Sequence, residues 1–175
     1  MIRIKIKKGR HYPWLIPIVL PFWVKKDDSN YRTAEFMFSR SCLFDLQDED
    51  QHDVNKLFGF SIGHHQKRSS FRFGWRPLLD EQLIEIVGYE YHDGVRQPTI
   101  PVCKVSLNEW HKFTISYNNK SNKSFYFVDR DPPIMKDANL KKKSGLGYTL
   151  GVYFGGNERA PQNITIYKRK GGYDH

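Results

Sequence analysis

The stretch Tyr148-Thr-Leu-Gly-Val-Tyr-Phe-Gly-Gly-Asn-Glu-Arg-Ala-Pro-Gln-Asn-Ile-Thr-Ile-Tyr167 decides the fold class of this chain. Two runs of alternating apolar residues flank a Gly-Gly-Asn…Ala-Pro segment, which is rich in turn-forming residues. A period of two places successive side chains on opposite faces of a β-strand. The pattern therefore predicts two strands joined by a tight, glycine-dependent hairpin. The side chains that it assigns to the core are Leu150, Val152, Phe154, Ile164 and Ile166.

The same alternation recurs through the rest of the chain. Turn-forming pairs such as Asp93-Gly94 and Asn118-Asn119 separate the alternating runs. The pattern predicts about eight to ten short strands, and no helices alternate with them, so a parallel α/β sheet is excluded. The apolar members of the runs are Ala34, Phe36, Phe38, Phe58, Phe60, Ile62, Phe71, Phe73, Trp75, Ile84, Ile86, Phe113, Ile115, Tyr117, Phe125 and Phe127.

Three segments, in this order, resemble the concanavalin A-like (laminin-G or jelly-roll) β-sandwiches, including those of polysaccharide lyases. They are residues 71–76 with 84–91, residues 108–117 leading into 125–129, and residues 148–167. The resemblance covers roughly residues 57–167 and implies an all-β fold, a two-sheet antiparallel jelly-roll sandwich. It also implies a concave sheet that often carries the ligand site. It implies no single function, because this sandwich hosts lectins, hydrolases, lyases and structural modules.

The length of 175 residues predicts a single β-sandwich domain over residues 1–175. Within it we expect an N-terminal strand and a proline-punctuated segment over residues 1–30. Ile2, Ile4 and Ile6 alternate with basic residues there, as in a strand with one solvated face. A basic tail is expected over residues 168–175. The two cysteines, Cys42 and Cys103, are too few for a disulfide framework and are predicted to be buried free thiols.

The apolar segment 12–24 follows basic residues, as in a signal peptide, but no small-residue cleavage site follows it. Prolines at positions 13, 17 and 21 disfavour a helix, and the segment is too short to span a bilayer. We therefore expect no transmembrane segment and no cleavable signal. The default expectation is a soluble protein with an intracellular location, although carbohydrate-handling relatives are usually exported.

The formal net charge of +9 implies affinity for anionic partners such as acidic glycans, nucleic acid or anionic membranes. Tyr12, Trp14 and Trp23 lie near the basic N-terminus, where they can stack on bases. No recognised nucleic-acid motif accompanies them, so specific binding to nucleic acid is not expected. The sequence does not indicate an oligomeric state.

Residues that alternate with the core positions of the central strands predict a binding face. Tyrosine rings stack on sugar faces, and arginine forks bind carboxylate or sulfate. We therefore predict a non-catalytic binding or interaction module whose ligand, on the concave sheet, is a carbohydrate with some anionic character; an anionic polysaccharide is one candidate. His65 is expected nearby, at the end of the strand that contains Phe58 and Phe60. The predicted contact residues are Arg72, Arg76, Glu85, Tyr89, Tyr91, Tyr126 and Tyr153.

Two other functions remain open. The first is a polysaccharide lyase-like enzyme, which needs a base, a proton donor and a cation for the uronate carboxylate, roles that Tyr, His and Arg can fill. The segment from Tyr167 to Tyr173 loosely resembles the Tyr-x-Lys-x-Gly-x-Tyr motif of alginate lyases, but Arg169 stands at the lysine position. The other motifs of that family are missing. The second alternative is a structural or assembly protein.

Hydrolysis and metal binding are not expected. Asp80-Glu81…Glu85 lacks the carboxylate spacing that a hydrolase strand needs. His64 and His65 are adjacent and would point to opposite faces of a strand, so one ion cannot bind both. An acidic loop could bind calcium weakly, but it lacks the spacing of an EF-hand. That loop contains Asp45, Asp48, Glu49, Asp50 and Asp53.

Overall fold

A computed structural model describes residues 1–13, 20–26, 28–63, 67–141 and 143–170. Two antiparallel β-sheets pack face to face, which confirms the predicted jelly-roll sandwich. The first sheet, in spatial order, contains β1 (Ile2–Ile6), β13 (Ile164–Lys170), β3 (Ser29–Phe38), β9 (His111–Asn118), β10 (Lys123–Val128) and β11 (Ile134–Asp137). The second contains β2 (Pro21–Val24), β12 (Gly145–Leu150), β4 (Asn55–Ser61), β5 (Ser70–Leu78), β6 (Leu83–His92) and β7 (Val95–Arg96), and β8 (Ile100–Val105) also pairs with β6. Two short 3-10 turns occupy Arg40–Cys42 and Glu49–His52.

Aromatic side chains from the two sheets interdigitate in the core. The ring of Phe36 lies 5.1 Å from that of Phe58, and the ring of Phe38 lies 5.5 Å from that of Trp75. The ring of Phe73 lies 5.3 Å from that of Phe113 across the sheets. Each fully buried aromatic side chain stabilises the fold by about 1.5–3 kcal/mol relative to an exposed one. The predicted alternation is therefore confirmed for these strands.

The stretch from Tyr148 to Tyr167, which we call the closing stretch, does not form the predicted hairpin. β12 pairs with β2 and β4 in the second sheet, whereas β13 pairs with β1 and β3 in the first. Residues 151–163 therefore cross from one sheet to the other. Val152 and Phe154 are buried on the way, as predicted, while Leu150 is only half-buried.

The predicted outward orientation of Tyr126 is wrong. On β10 the buried positions are Ser124, Tyr126 and Val128, while Phe125 and Phe127 lie half-buried on the outer face. The Tyr126 hydroxyl donates a hydrogen bond to the buried carboxylate of Glu90 at 2.7 Å. This partner makes burial of a tyrosine favourable, so hydrophobicity alone assigned the two faces of β10 the wrong way round.

The N-terminal strand is present as β1, which pairs with β13 from Ile2 to Ile6. Trp14 and Pro17 lie outside the described residues, as does the tail after Lys170. Lys168, Arg169 and Lys170 are still paired with β3, so the start of the predicted tail belongs to the sheet. In the described part of the chain, no helix has both the length and the apolar character to cross a bilayer. Cys42 and Cys103 are free thiols, the first buried and the second half-buried.

Candidate functional site

A cavity of about 290 Å³ lies on the outward face of the second sheet, across β4, β5 and β6. We call it the strand pocket. Its walls are formed by the three strands, by β7 and by the crossing segment 151–163. The lining residues are Asp53, Val54, Lys56, Lys67, Ser70, Arg72, Tyr89, Tyr91, Arg96, Tyr153, Gly156 and Asn157.

A β-bulge in β4 brings Lys56 to the strand pocket. Lys56 pairs with Gly74 of β5, but Phe58 pairs with Phe73, so Leu57 is the extra residue. Leu57 and Phe58 consequently both face the core, and Lys56 lies on the same face as Arg72. Without the bulge, alternation would place Lys56 on the core side together with Phe58. A bulge of this kind redirects a side chain at a functional site.

Arg72 forms the floor of the pocket. Its side chain is 6% exposed, and its Nη2 donates a hydrogen bond to the carbonyl oxygen of Gly151 at 2.7 Å. This bond ties β5 to the start of the crossing segment. Burial lowers the pKa of Arg72 to about 10, opposed by the nearby Tyr89 and Tyr153. The guanidinium therefore remains charged at neutral pH.

The Lys56 ammonium lies between two tyrosine rings. Its Nζ is 4.7 Å from the ring centroid of Tyr89 and 5.6 Å from that of Tyr153. The Arg96 guanidinium also lies over Tyr89, at 4.8 Å. Burial, followed by repulsion from Arg72 and Arg96, lowers the pKa of Lys56 to about 8. Lys56 is therefore mostly protonated at pH 7 and loses its charge in the mildly alkaline range.

The tyrosines supply aromatic surface and neutral hydroxyl groups. The rings of Tyr89 and Tyr91 meet edge to face, with centroids 5.9 Å apart. Burial raises the pKa of Tyr89 to about 12, and it also raises the pKa of Tyr153. Both hydroxyls consequently keep their protons near neutral pH and can donate hydrogen bonds.

Two backbone hydrogen bonds and two ring contacts hold Tyr153 in place. The backbone amide of Lys56 donates to the Tyr153 carbonyl oxygen at 2.8 Å, and the Tyr153 amide donates to the Lys56 carbonyl oxygen at 3.0 Å. The ring of His11 stacks on Tyr153 with centroids 5.3 Å apart, and Tyr12 meets it edge-on at 4.9 Å. The N-terminal segment therefore supports the aromatic wall of the strand pocket.

Gly155 allows the crossing segment to lie against β4. A Cβ at Gly155 would be 1.9 Å from the carbonyl oxygen of Val54 and 2.7 Å from the Lys56 ammonium. The Gly155 amide donates to Asn55 Oδ1 at 2.9 Å. Gly156 follows with a φ of +79°, a conformation that favours glycine. The adjacent glycines of the closing stretch therefore shape one wall of the pocket rather than a hairpin turn.

The strand pocket carries an excess of positive charge. Among its described lining residues, Lys56, Lys67, Arg72 and Arg96 are cationic and Asp53 is the single carboxylate. Ser70 Oγ is buried without a hydrogen-bond partner in the described part of the chain. A buried hydroxyl without a partner is costly, and a ligand oxygen would satisfy it. The arrangement is suited to a ligand that carries both negative charge and hydroxyl groups.

The structure brings four of the seven predicted contact residues together: Arg72, Tyr89, Tyr91 and Tyr153. Arg76 and Glu85 lie outside the pocket lining, where the Arg76 Nη2 pairs with Glu85 Oε2 at 2.7 Å. Tyr126 is in the core. The predicted position of His65 lies outside the described residues.

The acidic loop has a local structural role. Asp48 Oδ1 accepts a hydrogen bond from the Asp50 amide at 2.9 Å, and Asp45 Oδ1 accepts one from the Gln47 amide at 2.9 Å. Over the described ranges, no cluster of histidine, cysteine, aspartate and glutamate side chains could hold a metal ion.

Sequence reasoning missed Lys56, Lys67, Ser70, Arg96 and Asn157. The Asp93-Gly94 turn was a usable signal for Arg96, because a two-residue hairpin pairs Tyr91 with Arg96, as the structure has it. No comparable signal in the sequence predicts the bulge that turns Lys56 outward. Lys67 and Asn157 lie in loops, where alternation carries no information.

The structure is thus a jelly-roll β-sandwich with a cationic, tyrosine-lined site on one sheet. No protein-family model and no curated protein matches the chain. The fold is similar to that of the alginate lyase AlyC3, with a TM-score of 0.65 and 11% identity over 96% of this chain and 72% of that one.

Two further solved structures share the fold. One is the alginate lyase from Klebsiella pneumoniae, with a TM-score of 0.52 and 14% identity over 82% of this chain and 60% of that one. The other is the GH16 protein of a Bacteroides ovatus mixed-linkage glucan PUL in complex with a product. Its TM-score is 0.57, with 9% identity over 95% of this chain and 77% of that one. At such low identity the likeness establishes the fold alone.

Proposed function

We propose that this protein is a non-catalytic binding module for an acidic oligosaccharide, which it holds in the strand pocket. The observation that carries the proposal is the convergence of four cations and three tyrosines on one sheet face, with one carboxylate among the described lining residues. Such a site attracts an anion and offers flat aromatic surface to a sugar ring. Neutral sugars would gain the stacking contacts but not the ionic ones.

Basic side chains and tyrosines of the pocket would make different contacts with the ligand. Arg72 and Lys56 lie deepest and would pair with a carboxylate or sulfate group, since charge-assisted hydrogen bonds strengthen in a half-buried site. Tyr89, Tyr91 and Tyr153 would contact the sugar rings and donate hydroxyl hydrogen bonds. The preformed contacts of Arg72 and Tyr153 keep the cost of ordering these groups low.

The comparisons support a carbohydrate ligand without deciding the reaction. Two of the similar structures are alginate lyases, and the third holds a product of a mixed-linkage glucan system. An acidic ligand is proposed from the charge of the strand pocket and not from these likenesses.

Calorimetric titration with a uronic-acid tetramer and a neutral glucose tetramer tests the proposal. We expect the acidic tetramer to bind at least about tenfold more tightly than the neutral one, because one desolvated ion pair is worth that much. Arg96→Gln should weaken binding of the acidic tetramer. The matched control Arg130→Gln removes an arginine that is also exposed but lies outside the pocket. This control should leave the affinity for the acidic tetramer unchanged. Equal affinity for the two tetramers would contradict the proposal.

A lyase is the second candidate, and the lowered pKa of Lys56 favours it. A neutral Lys56 amine could take the proton from C5 of a uronate while the C4–O bond breaks and a C4=C5 double bond forms. A tyrosine hydroxyl such as that of Tyr153 would protonate the leaving oxygen, and Arg72 would neutralise the carboxylate.

The two candidates differ in one assay. Incubation with uronate polymers yields unsaturated ends that absorb in the ultraviolet only if the protein is a lyase. Turnover that Lys56→Met abolishes and Lys136→Met, on β11 of the other sheet, preserves would establish the lyase. Binding without ultraviolet absorbance would support the binding module.

A further inference from the structure

A second group of basic side chains lies at one end of the sandwich, outside the strand pocket. It surrounds a depression of about 370 Å³. Three connections meet there: the one between β2 and β3, the β9–β10 turn, and the one between β11 and β12. We call it the lysine cluster. Its lining residues are Lys26, Asn119, Lys120, Lys141, Lys143 and Ser144.

A buried asparagine holds the lysine cluster together. Asn119 is 4% exposed, and its Nδ2 donates hydrogen bonds to the carbonyl oxygens of Lys25, at 2.9 Å, and Lys143. Its backbone amide donates to the Asp28 carbonyl oxygen at 3.2 Å. These bonds fasten two connections to the β9–β10 turn. The lysines are therefore held close together by the fold and not by chance proximity of mobile loops.

Described carboxylates do not neutralise the positive charge of the lysine cluster. Among the described residues, none of its four ammonium groups forms a salt bridge. Two lysines just outside the cluster do form salt bridges. Lys25 Nζ lies 3.6 Å from Asp28 Oδ2, and Lys123 Nζ lies 3.7 Å from Asp137 Oδ1. Grouped like charges repel, and a bound anion relieves that repulsion.

Backbone contacts connect the lysine cluster to the strand pocket. The loop that carries Lys67 continues to Arg68, whose carbonyl oxygen accepts from the Gly94 amide at 2.6 Å. The backbone amide of the adjacent Asp93 donates a hydrogen bond to Ser69 Oγ at 3.2 Å. Asp93 Oδ2 accepts a hydrogen bond from the Lys141 backbone amide at 3.0 Å. A single turn therefore touches both the wall of the pocket and the lysine cluster. Asp93 is the one carboxylate in this chain of contacts.

We propose that the lysine cluster is a second anion-binding site, which engages further acidic groups of the same polysaccharide chain that occupies the strand pocket. This inference rests on the proposed function. A chain long enough to reach both sites gains affinity because its second contact is intramolecular. A short oligomer fills only the pocket. The ligand class is thereby narrowed to polymers that carry acidic groups at repeated intervals.

The test compares a uronic-acid tetramer with a long uronate polymer by calorimetry at low and at physiological salt. The cluster variant is Lys120→Ser, Lys141→Ser and Lys143→Ser together. We expect its affinity for the polymer to fall about tenfold at low salt, with a flatter salt dependence, because fewer counterions are released. Its affinity for the tetramer should stay unchanged. A cluster variant that binds the polymer as tightly as the wild type overturns the inference and leaves the proposed function intact.

A charge-matched control excludes a general effect of net charge. Arg3→Ser, Lys5→Ser and Lys8→Ser together remove three positive charges on and just after β1, and none of these residues lines either site. This control should bind polymer and tetramer as the wild type does. An equal loss in the control would overturn the inference, since it would show a diffuse charge effect. If the wild type binds polymer but not tetramer, and Arg96→Gln has no effect, the proposed function fails and the shared-chain inference fails with it.

Discussion

At the scale of single residues, Lys56 is a lining side chain of the strand pocket whose pKa its surroundings bring close to neutral pH. Burial and the nearby guanidinium groups of Arg72 and Arg96 lower its pKa from 10.5 to about 8. A bound anion offsets both effects, so it should raise the pKa of Lys56 again. Binding and protonation of Lys56 are therefore coupled.

This coupling predicts a pH dependence with a definite sign. As the pH rises through about 8, free Lys56 loses its proton, so affinity for an acidic tetramer should fall by roughly tenfold between pH 6.5 and 9. Arg72, with a pKa of about 10, and Tyr89, with a pKa of about 12, should not titrate strongly in that range. Calorimetry in buffers of different ionisation enthalpy should also show proton uptake on binding near pH 8. A flat profile would contradict this account of Lys56.

Lys56→Arg provides the matched control for the pH dependence. An arginine keeps its charge throughout this range, so the variant should bind with little change between pH 6.5 and 9. If the variant retains the wild-type pH dependence, another group is responsible for it.

The orientation of individual side chains was predictable where a strand is regular. Alternation along β5 and β6 placed Arg72, Tyr89 and Tyr91 on one face, because the pairing of these two strands has no bulge. It failed for Lys56, where a bulge shifts the register, and for Tyr126, where a hydrogen bond to a buried carboxylate outweighs the polarity of the hydroxyl. Both exceptions depend on partners distant in sequence, which a local pattern does not contain.

At the scale of elements, the crossing segment 151–163 determines the shape of the strand pocket. It is fastened to β4 by the backbone pair between Lys56 and Tyr153 and by the bond from Gly155 to Asn55. Turn-forming residues in the closing stretch indicated a hairpin, but the same residues serve a connection between sheets. Glycine at close backbone approaches and glycine in turns look identical in a sequence.

Gly155→Ala should therefore damage both stability and binding. The new Cβ would collide with the Val54 carbonyl oxygen, which cannot yield without displacing the crossing segment from β4. We expect a loss of unfolding free energy of about 2–4 kcal/mol and a weaker affinity for the acidic tetramer. Urea denaturation and calorimetry measure the two effects.

Gly9→Ala is the control for this variant. Gly9 has a φ of +76°, but a Cβ there would meet no atom within 4 Å. The substitution should cost only the backbone strain, about 1–2 kcal/mol, and leave binding unchanged. Equal losses of binding in the two variants would show that the close approach of Gly155 does not shape the pocket.

At the scale of the whole molecule, one buried polar network joins the two sheets. Glu90 of β6 is fully buried, and its Oε1 accepts from Ser124 Oγ at 2.5 Å and from the Tyr126 hydroxyl at 2.7 Å, both on β10. Its Oε2 lies 2.6 Å from His92 Nε2. Glu90 stands between Tyr89 and Tyr91, so the network anchors the strand that presents both rings to the pocket.

Replacing Glu90 should be far more costly than replacing Glu85 on the same strand. Glu90→Ala removes the acceptor of the buried Tyr126 hydroxyl and leaves Ser124 Oγ only the Lys136 carbonyl oxygen, at 3.4 Å, so it should cost about 3–5 kcal/mol of unfolding free energy. Glu85→Ala breaks a partly exposed pair with Arg76 and should cost about 0–1 kcal/mol. Urea denaturation of the two variants decides the matter, and equal costs would contradict the structural role of the network.

The architecture was more predictable than the site. Alternating aromatic residues such as Phe36, Phe73 and Phe113 suffice to indicate a sandwich, because many independent strands carry the same pattern. The pocket and the lysine cluster depend on which loops and strand ends meet in the fold. The sequence around Lys67 or Lys141 does not indicate that either residue lines a site. Charge alone pointed to an anionic partner, without showing where the partner binds.

A crystal structure of the protein with a bound uronic-acid tetramer tests the central claim most directly. We expect the tetramer in the strand pocket, with a carboxylate about 3 Å from the side-chain nitrogens of Arg72 or Lys56 and a sugar ring against Tyr89, Tyr91 or Tyr153. A tetramer bound on another face, or an empty pocket at saturating ligand concentration, would contradict the claim.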